Sequence, residues 1–170
     1  MPCLPISFLN MKTTILGVSF SSRMLGLAVL QSDCLIDYSV KLFKEPWSPA
    51  KMDHILTSLT SAIDNYNITD MALSIPPIHY QAGPFQELWM EIATLGHTKS
   101  LNVVMYRQGE LQALCGNSER MTRKALMEAV MSSYPELEPF YRRERRNRNK
   151  YYHKMFEAIG AGVLFLKQGK

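Results

Sequence analysis

The sequence has no Cys-x-x-Cys pair, no internal repeat and no low-complexity tract, and none of its apolar runs approaches the ~20 residues that cross a bilayer. A transmembrane anchor and a zinc-finger or dithiol redox site are therefore not expected. Its three cysteines, Cys3, Cys34 and Cys115, are odd in number and far apart, which predicts reduced thiols in a cytoplasmic protein rather than a disulfide framework. Residues 1–10 contain two prolines and no basic residue, so they do not read as a secretory leader. Met11-Lys12-Thr13-Thr14 resembles a natural start, and residues 1–10 are expected to be a disordered extension ahead of a single domain over 11–170. Excess positive charge is also missing from most of the chain. Formal net charge is +4, from 19 basic and 15 acidic residues. The segment 142–150 holds six of the basic residues (Arg142, Arg143, Arg145, Arg146, Arg148 and Lys150) and one acid, Glu144. Without it, 13 basic residues face 14 acidic ones. The basic character belongs to nine residues, and charge clustered in this way can hold a polyanion.

Secondary-structure signals run the length of the chain. Two apolar runs, 13–18 and 25–31, flank the polar turn from Ser19 to Met24 and predict a buried hairpin. The stretch from Cys34 to Phe43 alternates loosely and predicts a third, more exposed strand. Ser48-Pro49 supplies an N-cap and a first-turn proline. The face Met52, Ile55, Leu56, Leu59, Ala62, Ile63 and Tyr66 then repeats with helical spacing. A short strand over 71–75 ends at Pro76-Pro77, and the helix before it implies a crossover to a parallel pairing. Further helices are predicted over 84–96, 119–133 and about 150–167, a strand over 102–106, and a proline-broken loop over 135–140. Small residues in the last helix (Ala158, Gly160, Ala161 and Gly162) would let it lie close to the sheet. Three strands followed by alternating helices and strands predict a three-layer α/β domain.

Within this order, Ile15-Leu16-Gly17-Val18-Ser19-Phe20-Ser21-Ser22-Arg23-Met24-Leu25-Gly26 resembles the Ile-Leu-Gly-Ile-Asp-Pro-Gly-Ser-Arg-x-x-Gly opening of the RuvC-type Holliday junction resolvases. Asp70-Met71-Ala72-Leu73-Ser74 is similar to that family's strand ending Ala-Ile-Glu. The segment Gly116 to Lys124 resembles its Gly-x-Gly-x-Ala-x-Lys start of a DNA-contacting helix, and Glu157-Ala158-Ile159-Gly160-Ala161 its final Asp-Ala-Leu-Ala-x-Ala. The resemblance runs from Thr14 to about Leu166 and implies a ribonuclease H-like fold, a mixed five-stranded sheet flanked by helices.

The same resemblance implies a site of acids holding two Mg²⁺ ions that activate water and stabilise the leaving oxygen. Carried over position by position, the first acid falls on Ser19, the second on Ser74 and a third on Lys154, leaving a carboxylate only at Glu157. Mg²⁺ prefers carboxylate oxygen to a neutral hydroxyl, so no cofactor is expected, with Mg²⁺ kept as an alternative. The chain reads as a nuclease-silent relative. Ser19 and Ser74 read first as ordinary strand-end hydroxyls bonded to backbone, with a new catalytic role as the alternative. His153 and Glu157, four apart on one helix, can form a metal pair or a surface hydrogen bond. Lys154 can replace a lost metal charge with an ammonium. Glu110, after the fifth strand, and Asp33 or Asp37 are acids that could enter the cleft instead.

The basic run precedes the helix of Glu157 and is flanked by Phe140, Tyr141, Tyr151 and Tyr152. It reads either as a solvated surface or as a phosphate grip beside rings that stack on bases. The resemblance adds Arg120 and Lys124 to the nucleic-acid contacts. The leading expectation is a structure- or backbone-selective nucleic-acid-binding module, with DNA as partner. A protein–protein module, dimerising through the 84–96 helix by Phe85, Leu88, Trp89 and Met90, is the alternative. An altered-chemistry nuclease centred on Glu157, with His153 and the serines, is the third.

Overall fold

The structure, a computed structural model, describes residues 12–76, 83–116 and 122–168. Its centre is β1 (Thr14–Phe20), every residue of which is buried. A strand covered on both faces can be apolar throughout instead of alternating, which is why this stretch reads as an unbroken apolar run. β2 (Met24–Gln31) pairs antiparallel with β1, and β3 (Cys34–Leu42) antiparallel with β2 at the sheet's edge. β4 (Asp70–Ile75) and β5 (Asn102–Arg107) add in parallel on the other side of β1, giving the order β3-β2-β1-β4-β5. The mixed five-stranded α/β sheet expected from the sequence is the one observed.

The helices divide between the faces by strand parity. α1 (Pro49–Tyr66) starts at Ser48, whose Oγ accepts the Lys51 N–H, and stops at Asn67, which takes the left-handed conformation at φ 51°. With α2 (Pro84–Thr98) it covers Leu16, Val18, Leu25, Leu27, Met71 and Leu73. α3 (Arg123–Ser133) and α5 (Tyr152–Gln168) cover the opposite face, on Ile15, Ala28, Leu30 and Ala72. Ser19 and Ser74 share the parity of Ile15 and Ala72, so both face α5. No helix among the described residues is long and apolar enough to cross a membrane.

Three local readings change. The hairpin turn is only Ser21–Arg23, because β1 continues through Ser19 and Phe20; Ser21 Oγ accepts the N–H groups of Arg23 and Met24 to close it. Gln108–Leu114 is a 3₁₀ turn that no periodicity signalled. The expected loop over 135–140 is a 3₁₀ turn at Pro135–Leu137 running into α4 (Glu138–Arg146). Pro139 is tolerated there because it lies in the first turn, where its missing N–H would have no intrahelical partner.

Candidate functional site

Two glycines bring α5 over the end of β1. A Cβ on Gly17 would collide with the carbonyl oxygen of Ala158, and one on Gly26 with that of Lys154. The close approach thus depends on the strands, and of the helix's own small residues only part faces the sheet: Gly162 meets Leu30, whereas Gly160 faces Leu126 and Leu114. This docking sets Glu157 directly over Ser19. In register, Ser19 is paired with Gly26 on one side and Ser74 on the other.

The Ser19 hydroxyl donates to Glu157 Oε2 at 2.6 Å, and the Lys154 ammonium lies 3.2 Å from the same oxygen. Ser19 is wholly buried and Glu157 is 3% exposed. The site is a carboxylate closed by a hydroxyl and an internal cation. Ser74 is also buried, and its Oγ has no hydrogen-bond partner among the described residues. Pro76, Phe20, Phe85, Pro84 and Lys154 line a cleft of about 300 Å³ beside this network. Four of the residues expected together therefore do converge: Ser19, Ser74, Lys154 and Glu157.

A dinuclear magnesium centre does not fit this donor set. Two such ions need several anionic oxygens. Here the one carboxylate already carries an ammonium, and both strand positions present hydroxyls. Among the described residues no group of three or more His, Cys, Asp or Glu is placed to hold a metal. Glu110 does not enter the cleft: its Oε2 accepts the Arg107 N–H at 2.7 Å and caps the 3₁₀ turn. Asp37 is held at the far edge by Tyr66, whose hydroxyl donates to it at 2.7 Å. Asp33 is exposed in the turn between β2 and β3, where its carbonyl accepts the Tyr134 hydroxyl.

His153 corrects a sequence reading. It is not a surface partner of Glu157: it is 5% exposed, and its backbone N–H donates to Glu144 Oε2 at 2.7 Å. Burial, aided by the charges of Arg123 and Lys154 and opposed by Glu157, lowers its pKa from 6.5 to about 4. Its ring is neutral at pH 7.

With this geometry in place, likenesses to solved structures become informative. Thermus thermophilus RuvC superposes with a TM-score of 0.70 at 13% identity, over 92% of this chain and 97% of RuvC. The same RuvC in complex with a Holliday junction substrate gives 0.69 at 11% identity, over 92% and 96%. The Fowlpox virus resolvase in complex with Holliday junction DNA gives 0.57 at 10%, over 91% and 97%. The fold is RuvC-like. The sequence itself matches no protein-family profile and no curated protein. The likeness read from the motifs thus extends to three dimensions as a likeness of fold.

On this RuvC-like frame the basic residues form an exposed surface. Arg143, Arg145 and Arg146 of α4, and Arg148 and Lys150 of the loop after it, are exposed. Arg142 is exposed but tied to Glu138 at 2.7 Å, and Lys124 lies 3.8 Å from Glu128. Arg120 lies outside the described residues. The flanking rings are less available than expected. Phe140 packs edge-on against Tyr38 and Tyr152, at 5.6 and 5.3 Å between centroids. Tyr141 donates its hydroxyl to Glu128 at 2.8 Å, and Tyr151 leans on Tyr152. Aromatics with β- and α-face partners of their own serve the fold before any ligand. In α2, Phe85 and Leu88 are likewise core residues, Phe85 stacked on Phe20 at 4.9 Å, so only Trp89 and Met90 remain toward the surface.

Sequence reasoning missed Glu144 and Arg123. Glu144 is 3% exposed in the middle of the cationic run and bonds the first turn of α5. One acid alone among six cations, just ahead of a helix start, is the signal that could have marked it as a cap.

Proposed function

We propose that this chain is a nucleic-acid-binding module on a RuvC-like scaffold that does not cut its ligand by a two-metal mechanism. One observation supports it most: an exposed row of cations lies on α4 and its following loop, while the site's carboxylate, Glu157, is paired with Lys154. The cations supply phosphate contacts without reading bases themselves, which supports selectivity for backbone or branched structure. RuvC and the Fowlpox resolvase were each solved with Holliday junction DNA, which makes four-way DNA the first ligand to try. Binding of labelled four-way and single-stranded DNA across a salt series is the test. Expected is affinity that falls steeply with salt, and a shallower slope when Arg143, Arg145, Arg146 and Arg148 become Ala. Salt-independent binding, or none, would remove this reading.

A second reading follows from Met90 and Met105, which are 55% and 41% exposed where α2 borders the edge strand β5. A homodimer through this edge would show as a doubled mass in light scattering that reverts on Met90→Lys.

A further inference from the structure

Away from the degenerate site, a cavity of about 250 Å³ opens where the N-termini of α3 and α5 meet the C-terminal end of α4. Its rim carries Arg123, Lys124, Arg145 and Lys150, and Met127 gives it an apolar wall. Glu144 and His153 also line it, and both are more than nine-tenths buried. Each keeps one polar atom, Glu144 Oε1 and His153 Nδ1, without a hydrogen-bond partner among the described residues. The rest of Glu144 is engaged: its Oε2 accepts the His153 backbone N–H, and its carbonyl accepts from the Lys150 ammonium. Buried polar atoms are nearly always satisfied, so two orphans on residues that line one cavity, both closed to water in this structure, mark a place where a ligand that opens the rim completes the set.

The chemistry of the lining narrows the ligand. Four cations at the rim and two helix N-termini favour an anion there. A simple anion filling the whole cavity would meet the Glu144 carboxylate and be repelled. What touches Glu144 Oε1 has to donate a hydrogen bond, while what lies at the rim is negative. The volume sits just below the ~300–1,000 Å³ of drug-sized ligand sites, the scale of one base and not of a strand. The first turn of α5 separates this cavity from the cleft beside Ser19, since His153 lines one and Lys154 the other.

We propose that the cavity receives a single unpaired nucleotide, its base donating an amino N–H to Glu144 Oε1 and its phosphate lying among Arg123, Lys124, Arg145 and Lys150. The proposal rests on the nucleic-acid reading and deepens it: the ligand is nucleic acid with an extruded or terminal base, read on the edge that pairing would otherwise hide. Thymine and uracil carry no exocyclic amino group; their one Watson–Crick donor, N3–H, lies between two carbonyl oxygens that a carboxylate repels, so they are disfavoured.

Calorimetric titration of the full chain with dCMP, dAMP, dGMP, dTMP and inorganic phosphate tests it. Expected is binding of the three amino-bearing nucleotides roughly tenfold tighter than dTMP, the scale of one good base contact, with inorganic phosphate weaker still. In Glu144→Gln a side-chain oxygen can still accept the His153 N–H while an amide N–H₂ replaces Oε1, so the preference over dTMP is expected to vanish. Equal affinity for dCMP and dTMP, nucleotide binding no tighter than phosphate, or a preference that survives Glu144→Gln overturns the proposal. Should Glu144→Gln fail to fold, the comparison of nucleotides on the unaltered chain decides alone. The two readings fail separately. Retention of four-way DNA without nucleotide discrimination removes only the pocket, and discrimination among nucleotides without DNA retention removes only the module.

Discussion

Glu157 would be an expensive residue without its neighbours. It is 3% exposed, and one of its oxygens takes both the Ser19 hydroxyl and the Lys154 ammonium. Taking away one partner of a buried pair leaves an uncompensated charge, which typically costs ~3–5 kcal/mol. Lys154→Met is therefore expected to lower unfolding free energy by about that amount in chemical denaturation. Adding Glu157→Gln to it should recover most of the loss, because the amide still accepts from Ser19 and carries no charge. An equal loss in the double variant would mean that Lys154 acts through packing alone. His153 gives a second expectation at this scale. Its imidazole titrates near 4 in the fold and near 6.5 when free, so between those values the unfolded chain takes up a proton that the folded chain refuses. Stability contributed by this residue is complete above pH 6.5 and falls as pH drops toward 4, by on the order of 2–3 kcal/mol. His153→Gln should flatten that part of the profile of denaturant midpoint against pH; an unchanged profile would place the titration elsewhere.

Among the elements, α5 and β2 set the site by touching where side chains are missing. Gly26 lies under the Lys154 carbonyl, and a methyl there has to lift the helix. Gly26→Ala is expected to destabilise the fold by at least ~1–3 kcal/mol, the usual range for overpacking, and to separate Lys154 and Glu157 from Ser19. Thermal melting reads the first effect, and a tolerated substitution would contradict this docking. The core elements were legible in sequence because each carried a local signal: the β1 apolar run, the Ser48-Pro49 helix start, the Pro76 stop after β4. α4 was hidden because Pro135 and Pro139 read as breakers, although each sits in a first turn where proline costs little. Glu144 was hidden for a different reason. Its role depends on the first turn of α5 folding back onto it, nine residues on, and no spacing within a single element encodes that contact.

For the whole molecule, the motif order singled out four residues that the fold brings to one point, Ser19 and Ser74 on adjacent strands with Lys154 and Glu157 above them. Which of these four positions carries a carboxylate is a property of sequence, and only Glu157 does. Aromatic availability was not legible, because Phe140 and Tyr152 are committed to one another only after α4 and α5 pack. Charge at one place sets this candidate site apart from the donor set of a dinuclear magnesium centre: the Lys154 ammonium lies 3.2 Å from Glu157 Oε2. Crystals soaked in Mn²⁺ and read by anomalous scattering test this most directly. Expected is no manganese peak within coordination distance of Ser19, Ser74 or Glu157, with Lys154 still on Glu157; a pair of ions bridged by Glu157, with the lysine displaced, would contradict it.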